Sequence, residues 1–101
     1  MLKNELDVNL VKTDTFKEKP DQDNLGFGQH FTDHMFVMKW TRERGWHDAE
    51  IKPYSDFHID PAAMVFHYGQ AIFEGLKAYR GKDGTILMYR PKDNLKRLNN
   101  S

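Results

Sequence analysis

Hydrophobic and polar positions divide the chain into a polar beginning and a mixed remainder. Residues 1–24 are mostly polar and charged, and Pro20 falls in their second half. A weak alternation of apolar and polar positions near the start predicts one edge strand, with apolar side chains at Leu6, Val8 and Leu10. We expect residues 1–24 to form an extended polar lead-in and residues 25–101 to form an incomplete α+β domain.

Three further strands are predicted in the middle of the chain. Phe31–Trp40 is the clearest, because it is rich in aromatic and β-favouring residues. Its continuous apolar run, Met35–Met38, predicts burial on both faces. Trp46–Tyr54 predicts a second strand, interrupted by Pro53, which has no backbone N–H to donate to a neighbouring strand. Phe57–Ile59 alternates as a short third strand that ends before an Asp-Pro pair.

Two more strands, Leu76–Arg80 and Thr85–Arg90, flank the sequence Gly81-Lys82-Asp83-Gly84. An Asp-Gly pair between strands favours a two-residue type I′ turn, since both residues tolerate positive φ. This loop places three pairs of residues opposite one another: Lys82 with Thr85, Arg80 with Leu87, and Ala78 with Tyr89. Tyr79 and Met88 then share the other face of the hairpin.

A helix is predicted from Pro91 onward. Proline suits the first helical position, and Asp93 in the first turn interacts favourably with the positive end of the helix dipole. Leu95 and Leu98 give an apolar stripe at a spacing of i, i+3. Neither glycine nor proline follows before Ser101, so we expect a truncated terminal helix.

Two glycine-flanked segments carry aromatic side chains. Gly26 and Gly28 predict a turn that packs Phe27 into a core, and a nucleotide-binding loop is the weaker alternative because no apolar strand precedes it. The second segment, from His67 to Gly75, contains Tyr68, Gly69 and Phe73. Glycines at both ends could hold the two rings in fixed positions beside a ligand. The same segment could simply connect two elements, and the residues alone leave both interpretations open.

Composition narrows the function classes. Fifteen basic and fifteen acidic residues cancel, which argues against nucleic acid as the main partner. Cysteine is absent from the sequence, which excludes disulfides, thiolate nucleophiles and cysteine-ligated metals. The sequence shows neither an apolar signal-peptide core nor eighteen consecutive apolar residues, so we expect a cytoplasmic protein without a membrane span.

Candidate chemistry is sparse. His30 and His34 are four residues apart, but the surrounding sequence predicts a strand and no carboxylate cluster joins them, so no metal site is expected. Neither Ser55 nor Ser101 lies in a nucleophile-elbow motif. Arg97 is a further candidate, because its guanidinium group can bind a phosphate dianion through two parallel hydrogen bonds. An arginine between two leucines is, however, also typical of a helix surface.

Several blocks of sequence follow one another in order from Leu25 onward. They are Leu25-Gly26-Phe27-Gly28, Phe31-Thr32-Asp33-His34-Met35, Gly45-Trp46, His67-Tyr68-Gly69, Phe73-Glu74-Gly75-Leu76-Lys77-Ala78-Tyr79, Arg90-Pro91 and Lys96-Arg97-Leu98-Asn99-Asn100-Ser101. In this order they resemble the N-terminal part of branched-chain amino acid aminotransferases, pyridoxal-phosphate enzymes of fold type IV. Gly69 and the final block are most similar to bacterial members.

The resemblance implies roles for four residues. Arg97 matches the arginine that binds the cofactor phosphate, and Tyr68 matches a tyrosine that lies at the cofactor and the substrate. Phe73 and Phe27 match aromatic residues that line the pocket for the branched side chain. The enzymes move the amino group of leucine, isoleucine or valine to 2-oxoglutarate, which gives glutamate and a branched 2-oxo acid.

The same resemblance implies limits. None of the ten lysines matches the Schiff-base lysine, which lies well beyond residue 101 in the family. We therefore expect no catalytic residue in this chain, no activity from it alone, and pyridoxal phosphate bound weakly or not at all. The implied fold is part of a small N-terminal α+β domain with a mainly antiparallel sheet and short helices, and the intact relatives are homodimers.

Two alternatives remain at this stage. Another fold type IV enzyme, such as a D-amino acid transaminase or an aminodeoxychorismate lyase, shares the arginine position but generally lacks the block Phe31–Met35. A naturally short non-catalytic module is the second alternative. Substrate profiling separates the first, and the length of the reading frame separates the second.

Overall fold

The structure, a computed structural model, describes residues 6–101, so residues 1–5 of the predicted lead-in lie outside it. The chain divides into two units, one ending at Phe57 and the other running from His58 to Ser101. Small sheets and short helices make up both units together, which confirms an α+β composition. Among residues 6–101, no helix combines the length and apolar character needed to cross a membrane.

The first unit contains a three-stranded sheet. Its strands are β1 (Asn9–Leu10), β2 (His34–Thr41) and β3 (Gly45–Pro53), in the order β1-β3-β2. Strands β2 and β3 form an antiparallel hairpin, and β1 pairs in parallel with the other edge of β3. The predicted edge strand is thus confirmed over two residues, and the two long strands are confirmed within a few residues of their expected ends.

Burial in this sheet is lower than the apolar run of β2 predicts. Phe36 is 52 % exposed, and Ala49 on β3 is the buried apolar residue of the described chain, at 4 % exposure. The pairing register of β2 shifts between Val37 and Lys39, which marks a bulge. The prediction that Met35–Met38 is buried on both faces is therefore wrong, because in this unit nothing packs over Phe36 closely enough to bury it.

The predicted strand Phe57–Ile59 is also wrong, since these residues form no strand in the structure. The chain turns immediately afterwards at Asp60. The carbonyl of Asp60 accepts the N–H of Ala63 at 3.0 Å, and its carboxylate accepts the N–H of Ala62 at 2.7 Å. A three-residue segment that ends in such a turn gains nothing from an extended form unless another strand pairs with it.

The second unit contains helix α1 (Met64–His67), strands β4 (Ala78–Arg80) and β5 (Ile86–Met88), and helix α2 (Pro91–Asn99). The hairpin of β4 and β5 is confirmed, but its predicted turn and register are wrong. Arg80 pairs with Ile86 and Tyr79 with Leu87, which is one residue away from the expected register.

The physical reason lies in the turn. Gly84 has a φ of +86°, whereas Asp83 does not adopt the positive φ that a type I′ turn requires. The N–H of Gly84 donates to the carbonyl of Gly81 at 3.0 Å, and the N–H of Gly81 donates to the carbonyl of Thr85 at 2.7 Å. These bonds enclose three loop residues. A one-residue slip moves every side chain to the opposite face, so Tyr79 faces Leu87 rather than sharing a face with Met88.

Helix α2 forms where the sequence predicts it. Arg90 precedes it with a φ of +44°, and its guanidinium group bonds the Asp93 carboxylate at 2.7 Å across the first turn. At the other end, the N–H of Asn100 donates to the carbonyls of Lys96 and Arg97, at 3.2 and 3.1 Å. The helix therefore carries Asn94 and Arg97, three residues apart, on neighbouring positions of one face.

Candidate functional site: an arginine held by a covered carboxylate

The segment with Tyr68 and Phe73 begins where α1 ends. The N–H of Tyr68 donates to the carbonyl of Met64 at 2.9 Å, and Gly69 follows with a φ of +57°. A side chain at residue 69 would be strained at this φ, which explains the glycine there. Residues 69–77 then form neither helix nor strand. Gly75 lacks a positive φ, so Gly69 alone of these two glycines takes a conformation that favours glycine.

Side chains from α2 attach this irregular segment to the helix. The Arg97 guanidinium donates from Nε to Glu74 Oε2 at 2.9 Å and from Nη2 to Glu74 Oε1. Asn94 Nδ2 donates to Glu74 Oε1 at 3.2 Å and to the carbonyl oxygen of Gly75 at 2.9 Å. Two helix side chains thus hold one carboxylate and one backbone carbonyl. We call Glu74, Asn94 and Arg97 the helix clamp.

The clamp affects the titration of both charged groups. The hydrogen bond from Arg97 is the main cause that lowers the pKa of the Glu74 carboxyl, and hydrogen bonds from Asn94 and the Gly75 backbone lower it further. The bond to Glu74 in turn raises the pKa of Arg97. Both groups are therefore charged at neutral pH, and they form a two-point ion pair of the kind that fixes a guanidinium plane.

Exposure differs sharply across this ion pair. The Glu74 side chain is 9 % exposed and that of Arg97 is 70 % exposed. A guanidinium group has five N–H donors, of which Glu74 takes two, so three are not used by this carboxylate. These three N–H groups can therefore donate to a second anion while the two bonds to Glu74 remain.

The aromatic candidates are solvent-exposed in the structure. Phe73 is 91 % exposed and Tyr68 is 79 % exposed, and both belong to the same unit as the helix clamp. Phe27 belongs to the first unit and is 98 % exposed. The turn predicted around it is confirmed, since Gly26 and Gly28 both have a φ of +67°. The prediction that this turn packs Phe27 into a core is wrong, because no part of the described chain packs against the ring closely enough to bury it.

Sequence reasoning identified Arg97 but missed its two partners. Glu74 lies 23 residues before Arg97, and no periodicity links the two positions. One local signal was present, because Asn94 and Arg97 are three apart on a predicted helix and so share a face. The other signal was Glu74, whose negative charge next to Gly75 could pair with an arginine.

The first unit holds a second polar cluster. Asp33 accepts the backbone N–H of Lys17 at 2.8 Å and the Nζ of Lys19 at 3.0 Å, and its side chain is 9 % exposed. Lys17 Nζ donates to the carbonyl of Thr32 at 2.9 Å and lies 4.5 Å from the centre of the Tyr54 ring. A cavity of about 540 Å³ lies along residues 17–20 and 30–34.

The side chains of His34 and His67 contact backbone groups. Within residues 6–101 no three side chains of histidine, aspartate or glutamate converge in an arrangement that could hold a metal ion. His34 instead accepts the backbone N–H of Thr13 through Nε2 at 3.0 Å. His67 contacts the carbonyl of Pro61 through Nε2 at 2.7 Å.

Comparison with known proteins identifies homologues, although no family model matches the sequence. The chain is 59 % identical over 94 residues to branched-chain-amino-acid transaminase 1 of Bacillus subtilis, a match that covers 93 % of this chain. It is 53 % identical over the same length to a probable branched-chain-amino-acid aminotransferase of Staphylococcus epidermidis. A probable branched-chain-amino-acid aminotransferase of Streptomyces coelicolor is 59 % identical over 71 residues, or 70 % of this chain. The chain is a homologue of the branched-chain-amino-acid aminotransferases.

The resemblance predicted from the ordered blocks is thereby confirmed. The chain spans about a quarter of the length of the curated relatives it matches, 26 % for the Bacillus and Staphylococcus proteins and 20 % for the Streptomyces protein. This coverage is consistent with the predicted correspondence to the N-terminal part of such an aminotransferase.

Proposed function

We propose that this chain supplies one wall of the active site of a branched-chain amino acid aminotransferase. The complete enzyme would transfer the amino group of leucine, isoleucine or valine to 2-oxoglutarate with pyridoxal phosphate as cofactor. The observation that carries the proposal is the 59 % identity to a named branched-chain-amino-acid transaminase over 93 % of the chain. The helix clamp supports it, because it orients Arg97 in the same unit as Tyr68 and Phe73.

The chain's residues fit the phosphate group of pyridoxal phosphate. A phosphate needs hydrogen-bond donors of fixed direction, and Arg97 keeps three N–H groups beyond those bonded to Glu74. An arginine is charged at any physiological pH, and the bond to Glu74 raises the pKa of Arg97 further. When bound, pyridoxal phosphate supplies an electron-accepting ring, and the protein supplies orientation and charge.

Tyr68 and Phe73 would shape the space beside this phosphate site. The Tyr68 phenol would lie at the cofactor and the substrate, where it can donate or accept a hydrogen bond. Phe73 and Phe27 would provide apolar walls for a branched aliphatic side chain, which is most stable in a dry and rigid pocket. Their exposure in the structure supports this proposal, since large rings at 91 % and 98 % exposure have no role in a core of the described chain.

We assign no catalytic residue to this chain. None of its lysines matches the Schiff-base lysine of the family, so proton transfer at the substrate would depend on residues elsewhere in the complete enzyme. We therefore propose that the 101 residues alone are inactive. Four further expectations remain predictions: membership of fold type IV, the division into a lead-in over 1–24 and a domain over 25–101, a homodimer, and a cytoplasmic location.

An assay of substrate preference tests the proposed function. The protein encoded by the complete reading frame is incubated with pyridoxal phosphate, 2-oxoglutarate and either L-leucine or D-alanine, and glutamate formation is measured. We expect turnover with L-leucine and little with D-alanine. Preference for D-alanine would favour a D-amino acid transaminase, and turnover of L-leucine by residues 1–101 alone would contradict the proposed dependence on a lysine outside the chain.

A further inference from the structure

The asymmetry of the Arg97–Glu74 pair points to a role for the carboxylate. An ordinary surface ion pair has two exposed partners and contributes little. Here the carboxylate is 9 % exposed, whereas the guanidinium is 70 % exposed. The covered partner is the fixed one, and the exposed partner is held by it.

Asn94 makes the carboxylate independent of Arg97 for its position. Its Nδ2 bonds both Glu74 Oε1 and the carbonyl oxygen of Gly75, so it grips the segment at two consecutive residues. The bond to the Gly75 carbonyl holds the backbone next to Glu74 as well as the carboxylate itself. Asn94 thus anchors Glu74 and the neighbouring backbone to the helix, in addition to the bonds from Arg97.

We propose that Glu74 is a positioning residue that orients the Arg97 guanidinium for an anionic ligand, with Asn94 as its support. The two bonds from Nε and Nη2 fix the guanidinium plane, which in a free arginine rotates about several side-chain bonds. The remaining N–H groups then point in a set direction. This inference rests on the proposed function, in which that anion is the phosphate of pyridoxal phosphate.

A competing arrangement would make Glu74 a rival of the phosphate for Arg97. In that case ligand binding would have to break both bonds and leave a covered carboxylate without its charged partner, which is costly. The bond from Asn94 would also keep the carboxylate in place beside the incoming anion. The geometry therefore favours a supporting carboxylate over a displaced one.

Binding measurements on the complete protein test this inference. Dissociation constants are measured for pyridoxal phosphate and for pyridoxal, which lacks the phosphate. We expect Glu74→Gln to weaken pyridoxal phosphate binding about tenfold, as befits a lost charged hydrogen-bond partner, and to leave pyridoxal binding unchanged. The ratio of the two constants isolates phosphate recognition from general damage to the fold. Asn94→Ala should shift the ratio in the same direction by less, and it decides the question if Glu74→Gln does not fold.

Two further variants complete the design. Asp93→Asn is the matched control. Asp93 lies on the same helix as Arg97 but pairs with Arg90 instead, so its loss should leave the ratio unchanged. Arg97→Lys keeps the charge but loses the planar fork, and it should shift the ratio at least as far as Glu74→Gln. If Arg97→Lys shifts the ratio but Glu74→Gln leaves it unchanged or strengthens phosphate binding, the positioning role is wrong. If Arg97→Lys changes nothing, the proposed phosphate role of Arg97 is itself wrong.

Discussion

Two covered carboxylates, one in each unit, allow a direct comparison. Asp33 in the first unit and Glu74 in the second have side chains of equal exposure, 9 % each. Each carboxylate links a segment without regular structure to a strand or helix. Asp33 lies just before β2 and binds residues 17–19, and Glu74 links its own segment to α2. Each carboxyl also has a lowered pKa because of the groups that donate to it.

The two clusters differ in the cation. Lys19 reaches Asp33 through one ammonium contact, and its side chain is 79 % exposed, while the second bond comes from the backbone of Lys17. Glu74 instead receives two bonds from one planar guanidinium. An ammonium group is a point charge on a flexible stem, whereas a guanidinium has a defined plane. The two carboxylates are therefore equally buried but differ in effect. Asp33 fastens a segment of the first unit, whereas Glu74 orients an exposed cation, Arg97, in the second.

The largest effect is expected from removing the oriented cation. In the complete protein, Arg97→Ala should weaken binding of pyridoxal phosphate by roughly 10- to 100-fold, because charged hydrogen bonds to the phosphate are lost. Lys19→Ala removes the corresponding cation of the first unit and should leave this affinity within about twofold, since a largely exposed lysine contributes little. Equal losses in both variants would remove the distinction between the two clusters.

Substitutions of the aromatic residues near the two carboxylates should also have different effects. Phe73→Ala is expected to lower kcat/KM for L-leucine about tenfold and to affect glutamate less, because an apolar contact with the branched side chain is lost. Phe31 is the matched residue in the first unit, and its ring centre lies 5.6 Å from that of Tyr54, with the ring planes tilted by 32°. Phe31→Ala should lower the free energy of unfolding by roughly 1 kcal/mol and leave the ratio of leucine to glutamate turnover unchanged. A change of that ratio in Phe31→Ala and not in Phe73→Ala would reverse our assignment.

Acid titration should affect both clusters in the same direction. Both carboxyls have a lowered pKa in the folded protein, so their ion pairs stabilise the fold above the ordinary carboxyl range, about pH 4, and are lost as the pH falls through the folded values. Carboxyl chemical shifts measured by NMR report each group separately. Arg97→Gln should move the Glu74 titration up toward its ordinary range and leave Asp33 unchanged. Coupled movement of Asp33 would show that the two clusters are not independent.

A smaller effect is expected from exchanging the cation type in the first unit. Lys19→Arg offers Asp33 a planar fork in place of an ammonium, and it should slow amide hydrogen exchange of residues 17–19 by no more than a few-fold, because the pair is largely exposed. Faster exchange would contradict this expectation, and it would indicate that the guanidinium does not replace the ammonium contact of Lys19 with Asp33.

The comparison also marks how far the sequence could predict this molecule. Strands β2 and β3 and helix α2 follow from local composition and from Pro91, and the structure confirms them. The hairpin of β4 and β5 was predicted with a register one residue off, because Gly84 alone takes positive φ and the loop gains a residue. That choice between two turn types depends on hydrogen bonds that the sequence does not encode in any single position.

The candidate site was predictable in part for a different reason. Arg97 stood out by its chemistry and by the family blocks around it, but its contact with Glu74 spans 23 positions and arises only when the irregular segment folds against α2. The low exposure of the Glu74 side chain likewise arises only in the folded unit. The low burial of Phe36 and the exposure of Phe27 could not be foreseen either, since both depend on which surfaces pack against these rings.

A crystal structure of the complete protein with pyridoxal phosphate tests the central claim most directly. Our account predicts phosphate oxygens at hydrogen-bond distance from the Arg97 guanidinium, about 2.9 Å, while Nε and Nη2 remain bonded to Glu74. A phosphate bound away from Arg97 would contradict the proposed function. A phosphate bound to Arg97 with Glu74 displaced would contradict the positioning role of that carboxylate.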